Sequence, residues 1–311
     1  MAVVEQSAGR LSREEIARRM LNKVPEVTIF FWIIKILATT VGETAADFLS
    51  ENLNLGLTVT TYIMTAALLI TLYYQFKAKR YIPGIYWLAV VLISIVGTLI
   101  TDNLVDNFGV PLEVTTTVFA IALIATFSVW YMNEGTLSIH TIYSRKREAF
   151  YWLTILFTFA LGTAAGDLVA EKLNLGYWKS ALMFAGMIGL VAAVHFALKT
   201  RKTAHHTWHE SRAVWAFWIA YILTRPLGAS IGDFMSQKRN IGGLGLGTVI
   251  TSALFLLAIL GVVIYLSVTR KDQTPIEEIE AELAEEDEHR KLVEARHAAH
   301  PHHHHHKDGQ S

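Results

Sequence analysis

Eight apolar stretches, each long enough to cross a lipid bilayer, constrain the fold of this chain more than any other feature. They lie at roughly 26–49, 57–76, 83–104, 111–132, 149–170, 176–198, 214–236 and 244–269. A helix needs about 20 mostly apolar residues to cross about 30 Å of hydrocarbon, whereas a transmembrane β-barrel shows short alternating segments. The charged fraction is only 17%, against the quarter or so that is usual in soluble domains. We predict an all-α polytopic membrane protein with eight transmembrane helices.

Basic residues cluster in alternate connections between these stretches. One side has 17, namely Arg10, Arg13, Arg18, Arg19, Lys23, Lys77, Lys79, Arg80, Arg145, Lys146, Arg147, Lys199, Arg201, Lys202, Arg212, Arg270 and Lys271. The other side has four, which are Lys172, Lys179, Lys238 and Arg239. Cytoplasmic loops carry the excess of Lys and Arg in membrane proteins. The asymmetry therefore predicts that both termini are cytoplasmic.

A spaced motif occurs four times along the chain. Each copy has a Trp, a Gly ten residues later, an Asp five further on, and then usually an acid four beyond that: Trp32–Gly42–Asp47–Glu51, Trp87–Gly97–Asp102–Asp106, Trp152–Gly162–Asp167–Glu171 and Trp218–Gly228–Asp233–Gln237. Every copy contains two spans, so the four helical hairpins should enter the membrane from the same side as parallel repeats. We predict one hairpin duplicated twice, giving two four-helix halves.

The predicted boundaries follow from this duplication. A basic N-terminal segment (1–23) precedes the first membrane half (24–135), a cytoplasmic linker (136–148), the second half (149–270) and an acidic, His-rich tail (271–311). The linker and both terminal segments are predicted to be cytoplasmic.

Polar residues spaced by four give each Asp-bearing helix one polar face. The four stripes are Thr39–Glu43–Asp47–Glu51, Ser94–Thr98–Asp102–Asp106, Phe159–Thr163–Asp167–Glu171 and Arg225–Ala229–Asp233–Gln237. Lys35 extends the first stripe one turn deeper. Because a polar face in a bilayer must point at protein or water, we expect the four Asp side chains to meet at one depth.

Carboxylates that converge in a membrane need a compensating positive charge. The embedded acids Glu43, Asp47, Asp102, Asp167 and Asp233 exceed the embedded bases Lys35 and Arg225 by three. A hard divalent cation prefers several oxygen ligands, so a metal could supply the balance. We predict that the four Asp, with Glu43, Thr98 and Thr163, form a transport or metal site and that Lys35 and Arg225 are its counter-charges.

Simpler interpretations of these residues stay open. The glycines fit close helix packing, and the four Asp could mark helix ends at the headgroups. In the simpler interpretation, the outer acidic tier (Glu51, Asp106 and Glu171, with Gln237 in the fourth repeat) attracts cations electrostatically and does not bind them. The repeated Trp are most simply interface anchors or packing groups. For Lys35 and Arg225, a functional counter-charge and a structural ion pair are equally compatible with the sequence.

Sequence features outside the spans add little about function. His205 and His209 have the spacing of many metal sites and form a possible cytoplasmic metal site, although a solvated or lipid-facing loop is the simpler interpretation. The tail ends in a five-histidine run that suits either a native metal tract or a tag. Cysteine is absent and no nucleotide-binding or hydrolase motif occurs in a suitable context. We expect no enzyme activity, no permanently bound cofactor and no nucleic-acid partner.

The stretch "KVPEVTIFFWIIKILATTVGETAADFLS" and its three echoes resemble a family of bacterial repeat-containing integral membrane proteins, described as uncharacterised or membrane-anchored. The resemblance covers roughly residues 22 to 270. It implies a multi-pass protein of the bacterial inner membrane with a repeat architecture, and it implies no activity.

The charge pattern leads to a first hypothesis about function. The hypothesis is a secondary transporter, or more narrowly an exporter, of a divalent metal cation such as manganese, calcium or magnesium, with the lipid bilayer and the metal ion as its partners. The alternative is a non-catalytic membrane scaffold whose acids form structural ion pairs. An intramembrane metalloenzyme is the weakest candidate, because the motif helices contain no histidine at the stripes.

Overall fold

Eight long helices make up the described part of the chain. The computed structural model describes residues 22–199 and 206–273, with the backbone alone for residues 199 and 206–211. The helices are α1 (Ile29–Asp47), α2 (Leu57–Lys77), α3 (Pro83–Asp102), α4 (Leu112–Glu134), α5 (Arg145–Asp167), α6 (Tyr177–Lys199), α7 (His206–Ser236) and α8 (Gly247–Thr269). All eight are long and apolar enough to cross a membrane, and the described residues contain no strand. The predicted all-α membrane architecture is confirmed. Residues 1–21 of the predicted N-terminal segment and the tail beyond residue 273 lie outside the described residues.

Local signals shift several helix ends from the predicted bounds. The helix α1 begins at Ile29, directly after Thr28, whose backbone is extended. The helix α5 begins at Arg145, inside the segment 136–148 predicted as a linker, because the Ser144 side chain accepts a hydrogen bond from the Arg147 backbone N–H at 3.2 Å. Such a cap satisfies one of the free N–H groups of the first turn.

The four odd-numbered helices form a closed ring. The helix α1 packs on α3, α3 on α5, α5 on α7, and α7 on α1. The motif glycine of each helix lies directly against the next helix, in the pairs Gly42–Ser94, Gly97–Phe159, Gly162–Arg225 and Gly228–Thr39. A Cβ at any of these glycines would overlap its neighbour. Each ring helix therefore contacts the next at its motif glycine. The four helices run parallel with these glycines at one depth, as the repeat predicts.

The even-numbered helices surround this ring, and each packs mainly on the ring helix of the following repeat. The pairs are α2 on α3, α4 on α5, α6 on α7 and α8 on α1. Within a repeat, the two helices contact each other chiefly near the turn that joins them. The two halves of the sequence consequently do not separate in space, and all eight spans belong to one unit, Leu21–Gln273, with a shared core.

Burial distinguishes the two sets of helices. In the ring helices 67%, 78%, 56% and 50% of the most apolar window is buried within the protein, against 11%, 28%, 11% and 28% in the surrounding helices. Large apolar side chains such as Leu69, Ile121, Leu190 and Leu257 are exposed on the surrounding helices. These exposed faces are what a lipid bilayer would cover, because apolar surface is stable in hydrocarbon.

The turns on the predicted outer side explain why "NLG" recurs in repeats one and three. Asn54 and Asn174 both have a φ of 52°, a left-handed conformation that Asn adopts more readily than most residues. The following Gly56 and Gly176 also have positive φ, and their N–H groups donate to the carbonyls of Ser50 and Ala170, at 3.0 and 2.9 Å. The repeated letters thus encode one helix-ending turn.

A polar network joins the helices at the predicted cytoplasmic side. The buried Lys23 ammonium donates to Glu148 at 2.6 Å, and Gln75 donates to the same carboxylate at 3.2 Å. The Tyr81 hydroxyl donates to Asp272 at 2.6 Å. Burial raises the pKa of Asp272, while the hydrogen bond from Tyr81 acts in the opposite direction. The network holds residues 22–28 against α2, α5 and the end of α8.

Candidate functional site

The four polar stripes face one another in the middle of the ring and stack into tiers. From the predicted cytoplasmic side outward, the tiers are Phe31, Tyr86, Tyr151 and Phe217; Lys35, Val90, Ile155 and Tyr221; Thr39, Ser94, Phe159 and Arg225; Glu43, Thr98, Thr163 and Ala229; Asp47, Asp102, Asp167 and Asp233; and Glu51, Asp106, Glu171 and Gln237. Spacing by four keeps each stripe on one helix face. The third and fourth tiers are buried throughout.

The four motif aspartates line one cavity. Its volume is about 400 Å³, and its wall includes Asp47, Asp102, Asp167 and Asp233 together with Glu43 at the inner end. The outer tier also contributes, since Glu51, Asp106, Glu171 and Gln237 line the same space. Glu51, Asp106 and Glu171 are exposed, so the cavity is open at the predicted outer side. Eight acids and one amide, Gln237, therefore surround the same space, with Glu43 at its inner end.

Three carboxylates approach one another most closely at the bottom of this cavity. Oxygen atoms of Glu43, Asp167 and Asp233 lie within 4.8 Å of one another, and Glu43 and Asp233 are buried. Carboxylate oxygens at such separations can share one divalent cation. Asp47 and Asp102 line the same cavity but are not part of this close group. Of the predicted ligands, Glu43 is thus more central than its position one turn below the Asp tier indicates.

A single guanidinium separates the cavity from the interior of the ring. Arg225 is fully buried and its Nη2 donates to Glu43 at 2.8 Å, to Thr163 at 2.6 Å and to the Thr98 hydroxyl. Its Nη1 donates to the Thr39 carbonyl at 3.3 Å. One side chain from α7 therefore bonds to all three other ring helices. In the fourth stripe the residue at the level of Glu43, Thr98 and Thr163 is the small, buried Ala229.

The second predicted counter-charge is placed very differently. Lys35 is fully buried, and among the described residues its Nζ has no hydrogen-bond partner. It lies over the rings of Phe159 and Tyr221, at 4.0 and 4.2 Å from their centroids. A cation is attracted to an aromatic face, especially where water is excluded. Lys35 thus lies one layer below Arg225, and no described residue gives it an acidic partner.

The helix geometry changes directly after the motif Asp in the first three repeats. Asp47, Asp102 and Asp167 are each the last α-helical residue before a five-residue π turn, at Phe48–Asn52, Asn103–Asn107 and Leu168–Lys172. The i→i+5 bonds are present, for instance from the Leu173 N–H to the Leu168 carbonyl at 2.9 Å. Such π segments occur frequently at functional sites. They could not be predicted from the sequence, because no local residue pattern distinguishes a π turn.

A circle of aromatic side chains, called the aromatic ring below, closes the axis of the helix ring on the predicted cytoplasmic side. The residue before each motif Trp contacts the Trp of the next helix, in the pairs Phe31–Trp87, Tyr86–Trp152, Tyr151–Trp218 and Phe217–Trp32, with centroids 5.6, 5.5, 6.3 and 5.7 Å apart. The Tyr86 and Tyr151 hydroxyls are hydrogen-bonded. The sequence left two roles open for the motif Trp, interface anchor or packing group. Trp87, Trp152 and Trp218 are buried in the core, so they are packing groups. An aromatic residue before every Trp was the available signal for this closure, and the sequence analysis missed it.

The possible histidine site cannot be placed. His205 lies outside the described residues, and His209 lies in the part of α7 whose side chains are not described.

A scan against protein-family models gives the repeat an independent basis. The model described as Repeat of Unknown Function (DUF347) matches residues 30–81, 85–136, 150–201 and 216–272. Together these segments exceed half of the chain. The protein belongs to this repeat family. In this DUF347 protein each matched segment begins within the ring helix of one repeat and includes the surrounding helix after it, so the four matches confirm the predicted hairpin repeats. Searches of curated proteins and of solved structures gave no match.

Proposed function

We propose that this protein is a secondary transporter of a divalent metal cation such as manganese, calcium or magnesium. The observation that carries the proposal is the group of carboxylate oxygens from Glu43, Asp167 and Asp233, within 4.8 Å of one another at the bottom of an open acidic cavity. A hard divalent cation gives up part of its hydration only where several oxygens replace the water. Asp47 and Asp102 line the same cavity and would complete such a set, while the Thr98 hydroxyl, 3.5 Å from Glu43 and from the Thr163 hydroxyl, would help to orient it.

The cavity geometry supports transport better than permanent metal storage. It is open on the predicted outer side and closed on the other by the Arg225 hydrogen bonds and the aromatic ring. Alternating access requires a site near the ring axis that is open to one side at a time. Release to the other side would require the Arg225 layer to open. The proposal includes no enzymatic step and no resident cofactor.

The metal and Arg225 would compete for Glu43. That carboxylate belongs to the close group of acids and also accepts the 2.8 Å ion pair from Arg225. A cation bound to Glu43 weakens its attraction for the guanidinium, since both positive charges would share one carboxylate. Occupancy of the cavity would in this way loosen the closure directly beneath it.

The orientation proposed for this transporter follows the basic residues. Both termini would face the cytoplasm, and the membrane would be the bacterial inner membrane. Reporter fusions after residues 52, 108 and 174 should report an external location. A cytoplasmic signal from any of the three would contradict the proposed orientation of the cavity.

Metal uptake into proteoliposomes tests the proposal directly. We expect Asp167→Asn and Asp233→Asn to reduce uptake of Mn²⁺, Ca²⁺ or Mg²⁺ to the level of empty vesicles, because Asn cannot supply the negative charge that offsets lost hydration. Asp106→Asn, at the exposed outer tier, is the matched control and should retain most of the uptake. Full uptake by the Asp167→Asn/Asp233→Asn double variant would exclude the transporter proposal.

The scaffold alternative is favoured by one specific observation, the buried Arg225–Glu43 ion pair, which would stabilise the fold in a protein that binds nothing. Thermal melting with and without metal distinguishes the two functions. A transporter site is stabilised by bound metal, by about 2.7 kcal/mol at a hundredfold excess over Kd. For a scaffold, metal leaves the melting temperature unchanged and Asp167→Asn raises it, because the substitution relieves repulsion between crowded acids.

A further inference from the structure

Lys35 is a buried amine that the metal site does not use. The titratable Tyr221 of α7 and Phe159 of α5 lie against its ammonium, and the charged Arg225 of α7 lies one tier nearer the cavity. The helix α3 carries no charged residue before Asp102, and α8 carries none. Tyr86 and Tyr151 lie one tier nearer the predicted cytoplasmic side. An amine in this position has aromatic faces to stabilise its charge but no carboxylate.

Arg225 connects this amine to the acidic cavity. Its Nη2 is bonded to Glu43 on the cavity side, while its Nε is buried and lacks a hydrogen-bond partner among the described residues. Lys35 lies one helical turn below this guanidinium, so a charged Lys35 and Arg225 repel each other. Any change that weakens the ion pair between Glu43 and Arg225 therefore leaves more uncompensated positive charge next to Lys35.

We propose that Lys35 is the proton-binding site that couples metal movement to proton movement, an inference that rests on the proposed transport function. A divalent cation at Glu43, Asp167 and Asp233 releases Arg225 from Glu43, and the added positive charge favours the neutral form of Lys35. One Nζ–H bond breaks, its electron pair stays on nitrogen, and the proton passes to water. When the metal leaves, Arg225 pairs with Glu43 again and the amine takes up a proton. The transport cycle is thus an exchange of metal for protons.

Hydroxyl groups lie between Lys35 and the predicted cytoplasmic side. The buried Tyr221 hydroxyl has no hydrogen-bond partner among the described residues, and its ring contacts Lys35. One tier further, among the aromatic side chains that close the axis, the Tyr86 and Tyr151 hydroxyls form a hydrogen bond with each other. Hydroxyls both donate and accept, so this series offers a polar route through an otherwise apolar layer.

Proton release on metal binding tests the proposal. Mn²⁺ binding to the purified full-length protein is measured by calorimetry in buffers of different ionisation enthalpy, which gives the number of protons released. The wild type should release about one proton more than Lys35→Met. Lys35→Arg keeps a positive charge but cannot lose it at these pH values, so it should also release about one proton fewer and bind Mn²⁺ more weakly. Lys35→Arg provides the same test if Lys35→Met does not fold.

The outcomes separate this inference from the proposed function. Mn²⁺ binding with equal proton release by the wild type and both Lys35 variants would overturn the role of Lys35 and leave metal transport intact. Failure of the wild type to bind Mn²⁺, Ca²⁺ or Mg²⁺ would overturn both. Tyr221→Phe leaves the ring over Lys35 in place, so we expect it to change the rate of metal-driven proton movement in vesicles loaded with a pH-sensitive dye, but not the number of protons released at equilibrium.

Discussion

The first three repeats and the fourth share a frame but fill it differently. All four supply a glycine at the helix contact and an aspartate at the cavity. The first three continue from that aspartate into a π turn and place an acid in the outer tier. In the fourth, the α-helix continues to Ser236 and the outer residue is Gln237. The fourth repeat also has Arg225 and Ala229 where the first has Thr39 and Glu43.

This difference shows how a duplicated ring acquires a single asymmetric site. Four identical repeats would place equal charges around one axis, where they repel one another at short range. The fourth repeat has Arg225 and Ala229 at these positions. Arg225 supplies the counter-charge, and the small Ala229 follows it one turn later. The other repeats keep the hydroxyls and the carboxylate that receive its hydrogen bonds. The close group of carboxylates is asymmetric as well, since it includes Asp167 and Asp233 but neither Asp47 nor Asp102.

The largest expected effect comes from removing what is unique to the fourth repeat. We expect Arg225→Met to destabilise the protein by about 3–5 kcal/mol, because Glu43 would remain buried without its partner. Thermal or denaturant unfolding in detergent provides the measurement. The double variant Arg225→Met/Glu43→Gln should recover much of the loss, because no buried charge then remains unpaired. Equal stabilities for Arg225→Met and the wild type would show that the fourth repeat does not supply a structural counter-charge.

A second, smaller effect tests what the four repeats share. We expect Gly162→Ala to destabilise by about 1–3 kcal/mol, because the new methyl group would overlap the Arg225 side chain and press on Pro226. Gly166→Ala, on the same helix, is the matched control. A Cβ there would lie 3.5 Å from Pro226, an ordinary contact, so its stability should be close to that of the wild type.

Gly228→Ala carries the comparison across the ring, because its Cβ would overlap Thr39 of the first repeat. A loss similar to that of Gly162→Ala is expected if all four repeats use one helix spacing. A neutral Gly228→Ala together with a damaging Gly162→Ala would mean that the contact between the fourth and first repeats is looser than the others.

The smallest effect comes from making the fourth repeat resemble the others. Gln237→Glu restores an acid to the outer tier of the cavity. At about 10 Å from a divalent cation in a watery environment, one added charge should increase affinity by roughly threefold. Mn²⁺ binding at low salt measures the change, which should vanish near 1 M salt because the charges are then screened. An increase that persists in high salt would indicate direct ligation by the new carboxylate.

Much of the frame could be predicted from the sequence because the bilayer restricts the choices. Helices of about 20 apolar residues and a motif repeated at a fixed place in four of them determine the number of spans, their parallel order and the common depth of the aspartates. The stripes from Thr39, Ser94, Phe159 and Arg225 could also be identified, because spacing by four selects one helix face. The π turns could not be predicted, because no local residue pattern distinguishes them, whereas the aromatic residue before every Trp was an available signal for the aromatic closure.

The pairing of the charges was beyond what the sequence could decide. Lys35 and Arg225 are equivalent there, as single cations in apolar helices with acids nearby in the chain. In the structure, Arg225 bonds to Glu43, 182 positions away, whereas Lys35 rests on aromatic rings. Likewise, the sequence groups four equal aspartates, and the structure brings Asp167 and Asp233 close to Glu43.

The sequence by itself determined the membrane fold, the repeats and the polar faces, because these depend on hydrophobicity and helical period within each segment. The tertiary structure alone decided which helices pack together, which cation is paired and which acids meet, because these depend on helix rotation and side-chain reach across the ring.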